Sequence, residues 1–201
     1  DLTAETCEKL AAAGVALIPT LAVQEGFVVA MSDEGMQDSL AHRLVDPLVM
    51  SSLQSSQSWI AATKKNVMAV AFFNQQFQNG IEATKRAVAA GVPILAGSDA
   101  GNVATFHGPA LLRELEILVL EVGMTLEDVL MAATSRAADQ FGRQDLGRIQ
   151  ENAIADMIVL DADPMVDIAA YRALNTVYLN GKKLDLETLF DSSPGSWRPS
   201  M

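Results

Sequence analysis

Two short, continuous apolar runs constrain the fold of this chain more strongly than any other feature. They are VALIPTLAV (15–23) and VPILAGSDAG (92–101), and each follows a helix-like segment that ends in a glycine, Gly14 or Gly91. Apolar runs of this length, rich in β-branched residues, are typical of strands that are buried on both faces of a sheet. Because such strands alternate here with helical segments, the first part of the chain is predicted to be α/β with parallel strands.

Helical periodicity organises the chain around these two runs. The predicted helices cover 1–14, 57–90 in one or two pieces, 108–123 and 125–142. Thr3, with Thr6 as the fallback, and Thr125 are the predicted N-terminal caps, because a threonine hydroxyl accepts a hydrogen bond from the free backbone N–H groups of a first helical turn.

Residues 24–56 are the least regular part of the chain. We predict a long connection there, with one or two short helices. A connection of this length inside a compact enzyme is usually a lid or a substrate loop. A solvated insertion explains the segment equally well, and the two interpretations are left open.

The texture changes after Gly142. Short β-type runs with turn signals fill 147–164, and an Asn180-Gly181 dipeptide between two strand pieces is typical of a tight hairpin. A separate small β element is therefore predicted. The predicted domain divisions are 1–142 for the α/β part, 143–190 for the β part and 191–201 for a flexible tail.

Composition excludes several classes of protein. Half of the chain is hydrophobic and 19% is charged, which is too apolar for a disordered chain. No apolar run approaches the roughly 20 residues of a membrane-spanning helix. The formal net charge of −11 disfavours nucleic acid and anionic membranes as partners. A single cysteine, Cys7, allows no intrachain disulfide, and two histidines, His42 and His107, exclude an all-histidine metal site.

Asp99 is the leading candidate for chemistry. It lies in Gly97-Ser98-Asp99-Ala100-Gly101, directly after the second apolar run. Active sites of parallel α/β folds lie at the carboxyl ends of strands, and the flanking glycines permit a sharp turn and the close approach of a ligand. A carboxylate there can bind a cation and accept a proton from its bound water. By pattern alone, an aspartate that caps a turn is the commoner outcome.

Other polar residues are weaker candidates. His107, in the loop before the 108–123 helix, could contact substrate, although a backbone-bonded loop histidine is commoner. Thr20 stands at the end of the first run and could offer a hydroxyl to the same pocket. Glu114 could face that pocket, but solvated helix glutamates are far more common, and His42 is predicted to be a surface residue.

Several of these segments, in this order, resemble the C-terminal half of the amidohydrolase superfamily, close to its imidazolonepropionase-like and prolidase-like members. The matching pieces are GVALIPTL, AVAAGVPILAGSDAG, FHGPALLRELEILVLEVGMTLEDVLMAATSRAAD, LGRIQENAIADMIVLDADP and VYLNGKKL. The resemblance spans about 1–23 and 80–184. It implies a (β/α)8 TIM-type barrel, of which this chain would hold the last two strands and their helices, plus part of a small β-sandwich.

The resemblance also implies roles for individual residues. Asp99 matches the aspartate at the end of the eighth barrel strand, which ligates the metal and acts on the hydrolytic water. His107 matches a histidine near the substrate, and Thr20 lies close to the end of GVALIPTL, the segment that matches the seventh strand. Asp156 matches the turn that opens the sandwich strands. Asn152 stands where relatives commonly carry glycine, and asparagine tolerates the same left-handed conformation.

The remaining metal ligands of the family have no counterpart in this chain. The His-x-His of the first strand, the fourth-strand lysine and the fifth- and sixth-strand histidines would all precede Asp1. We therefore expect the chain to be the C-terminal portion of a longer enzyme that hydrolyses amide, peptide or cyclic amide bonds with one or two divalent metals, zinc by resemblance. Its expected partners are a small or dipeptide-like substrate, the missing N-terminal half and further copies of itself. The isolated chain is expected to be inactive.

Two alternatives come from other classes. One is a non-catalytic fragment or assembly module that lacks the metal centre. The other is a flavodoxin-like binding domain, which fits the length but not the β-rich tail, and which predicts a phosphate loop that the sequence lacks. The first residues do not resemble a signal peptide, and the compartment stays unassigned.

Overall fold

The computed structural model describes residues 2–32, 45, 57–186 and 188. The described helices are α1 (Ala4–Ala12), α2 (Leu21–Met31), α3 (Gln57–Lys64), α4 (Val67–Ala89), α5 (Pro109–Leu120), α6 (Leu126–Ala133) and α7 (Ser135–Gln140). The strands β1 (Met157–Leu160), β2 (Leu174–Leu179) and β3 (Lys182–Lys183) follow, with a 3-10 helix at Ile168–Arg172 between the first two. Within the described residues, no helix has both the length and the apolar character needed to cross a membrane.

The two apolar runs lie side by side and run in parallel. A parallel bridge joins Leu17 to Ile94. The Leu17 N–H donates to the Pro93 carbonyl at 2.9 Å, and the Leu95 N–H donates to the Leu17 carbonyl at 2.9 Å. We call these pieces the first and second strand segments. The predicted parallel α/β arrangement of this part of the chain is confirmed.

The first strand segment is shorter than predicted. Its pairing is confined to Leu17, and the last three residues of the 15–23 run already belong to α2. Periodicity alone cannot separate a short buried strand from the start of a buried helix, because both are continuously apolar. The left-handed backbone of Thr20, with φ of 49°, turns the chain between the two elements.

The predicted connection 24–56 also begins differently, since α2 continues through Met31. Apart from Val45, residues 33–56 lie outside the described residues, as does His42. Whether this segment is a lid or a solvated insertion stays a prediction. The tail at 191–201 likewise lies outside the described residues.

The core lies between α1, α2, α4, α5 and the two strand segments. Its most deeply buried members include Leu21, Ile94, Ile117 and Leu118. Helix α5 supplies the last two of these from one apolar face. Truncation of such a side chain to alanine typically costs about 2–5 kcal/mol of folding stability. The packing of α5 in this core therefore stabilises the strand segments.

The helix-capping predictions hold, but the 125–142 helix is divided. Thr3 accepts from the Thr6 N–H, and Thr125 accepts from the Asp128 N–H. The predicted helix is divided at Thr134 into α6 and α7. The backbone of Thr134 lies against Gly147. A Cβ on Gly147 would lie 2.5 Å from the Thr134 carbonyl carbon and oxygen, so packing against a segment outside the helix decides where it breaks.

The C-terminal part is a separate antiparallel sheet in the order β1-β2-β3. Asn180 and Gly181 connect β2 and β3 with φ of 50° and 74°, and the predicted hairpin is confirmed. The Asp156 carboxylate accepts from the Asn180 N–H at 2.7 Å, which ties this turn to the start of β1. Asn152 has φ of 66°, the left-handed conformation expected there.

Candidate functional site

The two strand segments end at the same edge of the fold, because they are parallel neighbours. Thr20 follows the first and Asp99 follows the second, and each has φ of 49°. A left-handed non-glycine residue costs on the order of 1–3 kcal/mol and persists only where its surroundings impose it. Two such turns therefore lie at the same edge of the fold.

The Asp99 turn is built for close approach to the first strand segment. A Cβ on Gly97 would lie 2.6 Å from Cγ2 of Ile18, so the two segments come together at a residue without a side chain. Asp99 itself is exposed. The Asn102 side-chain amide donates to the backbone carbonyl of Asp99 at 3.3 Å and to the Asp99 Oδ2 at 3.4 Å. The carboxyl group is therefore held at the surface of this edge.

His107 lies over the same turn. It is exposed, in the loop before α5, and its Nε2 lies 3.9 Å from the place where a Cβ on Gly101 would stand. The Gly101 N–H donates to the Thr105 carbonyl at 2.9 Å, and the Thr105 N–H donates to the Asn102 carbonyl at 3.1 Å. These bonds close the loop that brings His107 back to the residues following Asp99.

Asp99 and His107 do not complete a metal site by themselves. Across residues 2–32, 45, 57–186 and 188, no group of three or more His, Cys, Asp or Glu side chains is placed to hold a metal ion. An exposed carboxylate and an imidazole are suitable ligand types for zinc, but a catalytic zinc site requires about three protein ligands. The described residues therefore do not complete a zinc site by themselves.

The sequence interpretation of Glu114 as a solvated helix residue is wrong. Glu114 is fully buried on α5, and its Oε2 accepts from the Ala22 N–H at 2.7 Å. Its Oε1 is buried without a hydrogen-bond partner among the described residues. The spacing of Glu114 from Ala110 and Leu118 places it on the apolar face of α5, and this spacing is the signal that could have predicted its burial.

Burial raises the pKa of Glu114 to about 7, because desolvation disfavours the charged carboxylate. The backbone N–H groups of Ala22, Leu21 and Thr20 oppose that shift without cancelling it, and the charge of Glu25 adds to it. The buried carboxyl group of Glu114 is therefore partly protonated near neutral pH, and it lies next to the Thr20 turn.

The neighbours of Glu114 on α5 face a different set of partners. Arg113 donates to both carboxylate oxygens of Glu25 on α2, at 2.6 and 2.7 Å, and to Glu116 at 3.1 Å. Glu116 also accepts from Arg172 of the 3-10 helix. The bond to Glu25 is the main cause that raises the pKa of Arg113. Burial opposes ionisation of Glu116, but the hydrogen bonds from Arg172 and Arg113 outweigh it and lower the pKa.

A cavity of about 260 Å³ lies elsewhere, between α2 and α4. Gln24, Phe27, Phe72, Phe73 and Gln76 line it, and the Phe27 and Phe73 rings stack with centroids 5.2 Å apart. Neither Asp99 nor His107 lines this cavity. The candidate site at the edge with the Thr20 and Asp99 turns therefore does not include this cavity.

Comparison with known proteins identifies relatives of this arrangement. Residues 34–184, most of the chain, match the model of the amidohydrolase family. The comparison with curated proteins found no match. Among solved structures, A. niger ochratoxinase is 29% identical with a TM-score of 0.50, and molinate hydrolase is 27% identical with a TM-score of 0.53. A prolidase-like protein from Bifidobacterium longum is 24% identical with a TM-score of 0.53, which is a likeness of fold alone.

These matches cover only part of each relative. They span 63%, 61% and 63% of this chain, for ochratoxinase, molinate hydrolase and the Bifidobacterium longum protein respectively. In the same order they cover 29%, 30% and 33% of those chains. The chain thus matches about a third of the length of the solved structures that resemble it.

Proposed function

This chain belongs to the amidohydrolase family, and from that membership we propose that it forms the C-terminal portion of a metal-dependent hydrolase of C–N bonds. The observation that carries the proposal is the position of Asp99, exposed in a strained turn at the end of the second of two parallel strand segments. Carboxyl ends of parallel strands are where barrel enzymes place their catalytic groups.

The proposed architecture has two parts. Residues 1–142 would supply the last two strands and helices of a (β/α)8 barrel, 143–190 part of a β-sandwich and 191–201 a flexible tail. The parallel pairing of Leu17 with Ile94 and the separate antiparallel sheet support this division. The coverage of about a third of each relative supports a longer parent protein.

Asp99 would act on the attacking water. Its carboxylate would accept a proton from that water as the new C–O bond forms, and it would return the proton to the leaving nitrogen as the C–N bond breaks. A divalent metal, zinc by family resemblance, would supply a water of lowered pKa when bound, and Asp99 would be one of the residues that hold it. The other ligands would come from outside the described residues, because those residues complete no such site.

His107 and Thr20 would contact substrate. His107 lies over the Asp99 turn, and Thr20 stands at the end of the adjacent strand segment, so both are placed at the edge where substrate would meet the carboxylate. The substrate would be a small or dipeptide-like molecule with an amide, peptide or cyclic amide bond. The remaining partners would be the N-terminal half of the same protein and further copies of the chain.

The test is the activity of the complete protein, with zinc, on a panel of N-acyl and Xaa-Pro substrates. Asp99→Asn should abolish hydrolysis while zinc content stays measurable. Asp161→Asn is the matched control, because Asp161 is an exposed residue of the β part whose hydrogen bond from Asn175 an asparagine oxygen can still accept. Full activity in Asp99→Asn removes Asp99 from the mechanism, and a protein that hydrolyses none of the panel contradicts the proposed reaction.

A second candidate is a non-catalytic assembly module. The incomplete set of metal ligands in the described part of the chain favours it. Metal analysis of the complete protein separates the two, since a module without a metal centre would bind no zinc in stoichiometric amount.

A further inference from the structure

We propose that Glu114 is a positioning residue of the candidate site: from α5, its buried carboxyl group caps the N-terminal end of α2 and thereby fixes the Thr20 turn beside the Asp99 turn. The proposal depends on the proposed function only for its catalytic consequence. The structural part concerns residues of this chain alone.

The geometry makes Glu114 the cap that α2 lacks locally. Thr20 precedes the helix, but its hydroxyl makes no capping hydrogen bond. The first N–H groups of a helix have no partner within the helix, and burying them unpaired is costly. Ala22, in the first turn, is 5% exposed, and its N–H finds the Glu114 Oε2 at 2.7 Å, across 92 residues of sequence.

The same contact holds the left-handed turn. Thr20, with φ of 49°, directly precedes the first residue of α2. Glu114 accepts a hydrogen bond from the Ala22 N–H, and the nearby N–H groups of Leu21 and Thr20 also favour its charged form. An acceptor bound to the first turn of α2 fixes the path of the chain as it leaves the first strand segment.

The residue also connects the two halves of the candidate site. Helix α5 begins directly after the His107 loop, and α2 begins directly after Thr20. Because Glu114 is anchored on α5 by the buried Leu115 and Leu118, its bond to α2 sets the position of one turn relative to the other. Loss of the carboxyl group would leave both elements folded but would loosen this register.

Three other acidic side chains around α5 are each paired with arginine. Glu114 is the buried acid that contacts α2. On α2, Glu25 acts on it, but Glu25 is paired with Arg113. On the same helix, Glu116 is paired with Arg113 and Arg172. On α6, Asp128 is paired with Arg136. Protonation of Glu114 should therefore change the environment of the Ala22 N–H, because this group then loses its charged acceptor.

The first test follows the Ala22 amide by NMR in protein labelled with ¹⁵N-alanine, with the signal assigned from its absence in Ala22→Ser. In the unaltered protein the Ala22 amide proton should shift with pH, with a midpoint of about 7. The titration should vanish in Glu114→Gln. It should persist in Glu121→Gln, the same chemical change at an exposed residue that ends the same helix. An Ala22 signal that does not move with pH overturns the capping role.

The second test separates the acceptor from the charge. Glu114→Leu removes the acceptor at similar volume, and the amide hydrogen of Ala22 should exchange at least about tenfold faster. Glu114→Gln keeps an acceptor oxygen and should restore most of the protection. Equal exchange rates in all three proteins overturn the proposal, and the titration in unaltered protein decides the matter if Glu114→Leu does not fold.

The catalytic consequence is tested in the complete protein on a substrate that it hydrolyses in an Asp99-dependent manner. Glu114→Leu should raise KM about tenfold with a smaller change in kcat, and Glu114→Gln should return KM toward its normal value. An unchanged KM in Glu114→Leu overturns the positioning role while leaving the reaction intact. Absence of hydrolysis in the unaltered protein contradicts the proposed function instead, and the two amide measurements then decide the role of Glu114.

Discussion

Replacement of Glu114 by glutamine should change how the stability of the fold depends on pH. The buried carboxyl has its pKa raised from the ordinary value of 4.5 to about 7, chiefly by desolvation. A carboxyl with a raised pKa in the folded state binds its proton more tightly there than in the unfolded chain. It therefore stabilises the fold fully below about pH 4.5, and this contribution is lost as the pH rises through about 7.

The magnitude follows from the same shift. One pKa unit is worth about 1.4 kcal/mol, so a rise from 4.5 to about 7 corresponds to about 3 kcal/mol of stability. Glutamine at this position is neutral at every pH and carries no such contribution. The stability of Glu114→Gln relative to the unaltered protein should therefore increase by about 3 kcal/mol as the pH rises from about 5 to about 8.

Urea unfolding of both proteins across that range measures the difference. The window lies above the pH at which Glu116 and Asp128 lose the stability that comes from their lowered pKa values, so these groups contribute a constant background. Glu121→Gln serves as the control, and its curve should run parallel to that of the unaltered protein. Parallel curves for Glu114→Gln as well would refute the reasoning, because Glu114 would then not titrate differently in the folded and unfolded states.

Two further substitutions test contacts that organise the fold. Gly147→Ala should destabilise the protein by about 2–3 kcal/mol in thermal or urea unfolding, since its Cβ would meet the Thr134 backbone at 2.5 Å. Gly142→Ala shares the left-handed backbone but has open space around it, so it should cost only about 1 kcal/mol, and equal costs would contradict the packing explanation. Arg113→Gln should destabilise by about 1–3 kcal/mol, because it leaves the half-buried carboxylate of Glu25 without its charged partner. The loss should shrink when Glu25→Gln is combined with Arg113→Gln, and a loss that is equal with and without Glu25→Gln would show that packing alone is involved.

The sequence determined those features whose causes lie within a few residues of one another. Thr3 and Thr125 cap their helices because the N–H groups that they bind are three residues away. Asn180 and Gly181 make the hairpin because asparagine and glycine tolerate the left-handed backbone that a tight turn needs. The two apolar runs predicted parallel strands because continuous burial requires cover on both faces.

The position of Asp99 was also readable from the sequence, because a glycine-flanked carboxylate that directly follows a buried apolar run must lie where that strand ends. What Asp99 does in the complete protein stays a proposal, since a metal site requires ligands that the described residues do not supply. The resemblance to the family was carried by several linked segments in order, and the match of residues 34–184 to the family model confirms the membership.

Only the tertiary structure decided where α2 begins, where the 125–142 helix breaks and what the buried carboxyl group of Glu114 contacts. The start of α2 depends on Glu114, which lies 92 residues from Ala22 in sequence, and the break at Thr134 depends on its contact with Gly147. Glutamate normally prefers water, so local preference predicted an exposed Glu114. The fold accommodates a buried carboxyl group at this position because the first turn of another helix offers it an N–H donor, and only the assembled fold brings the two together.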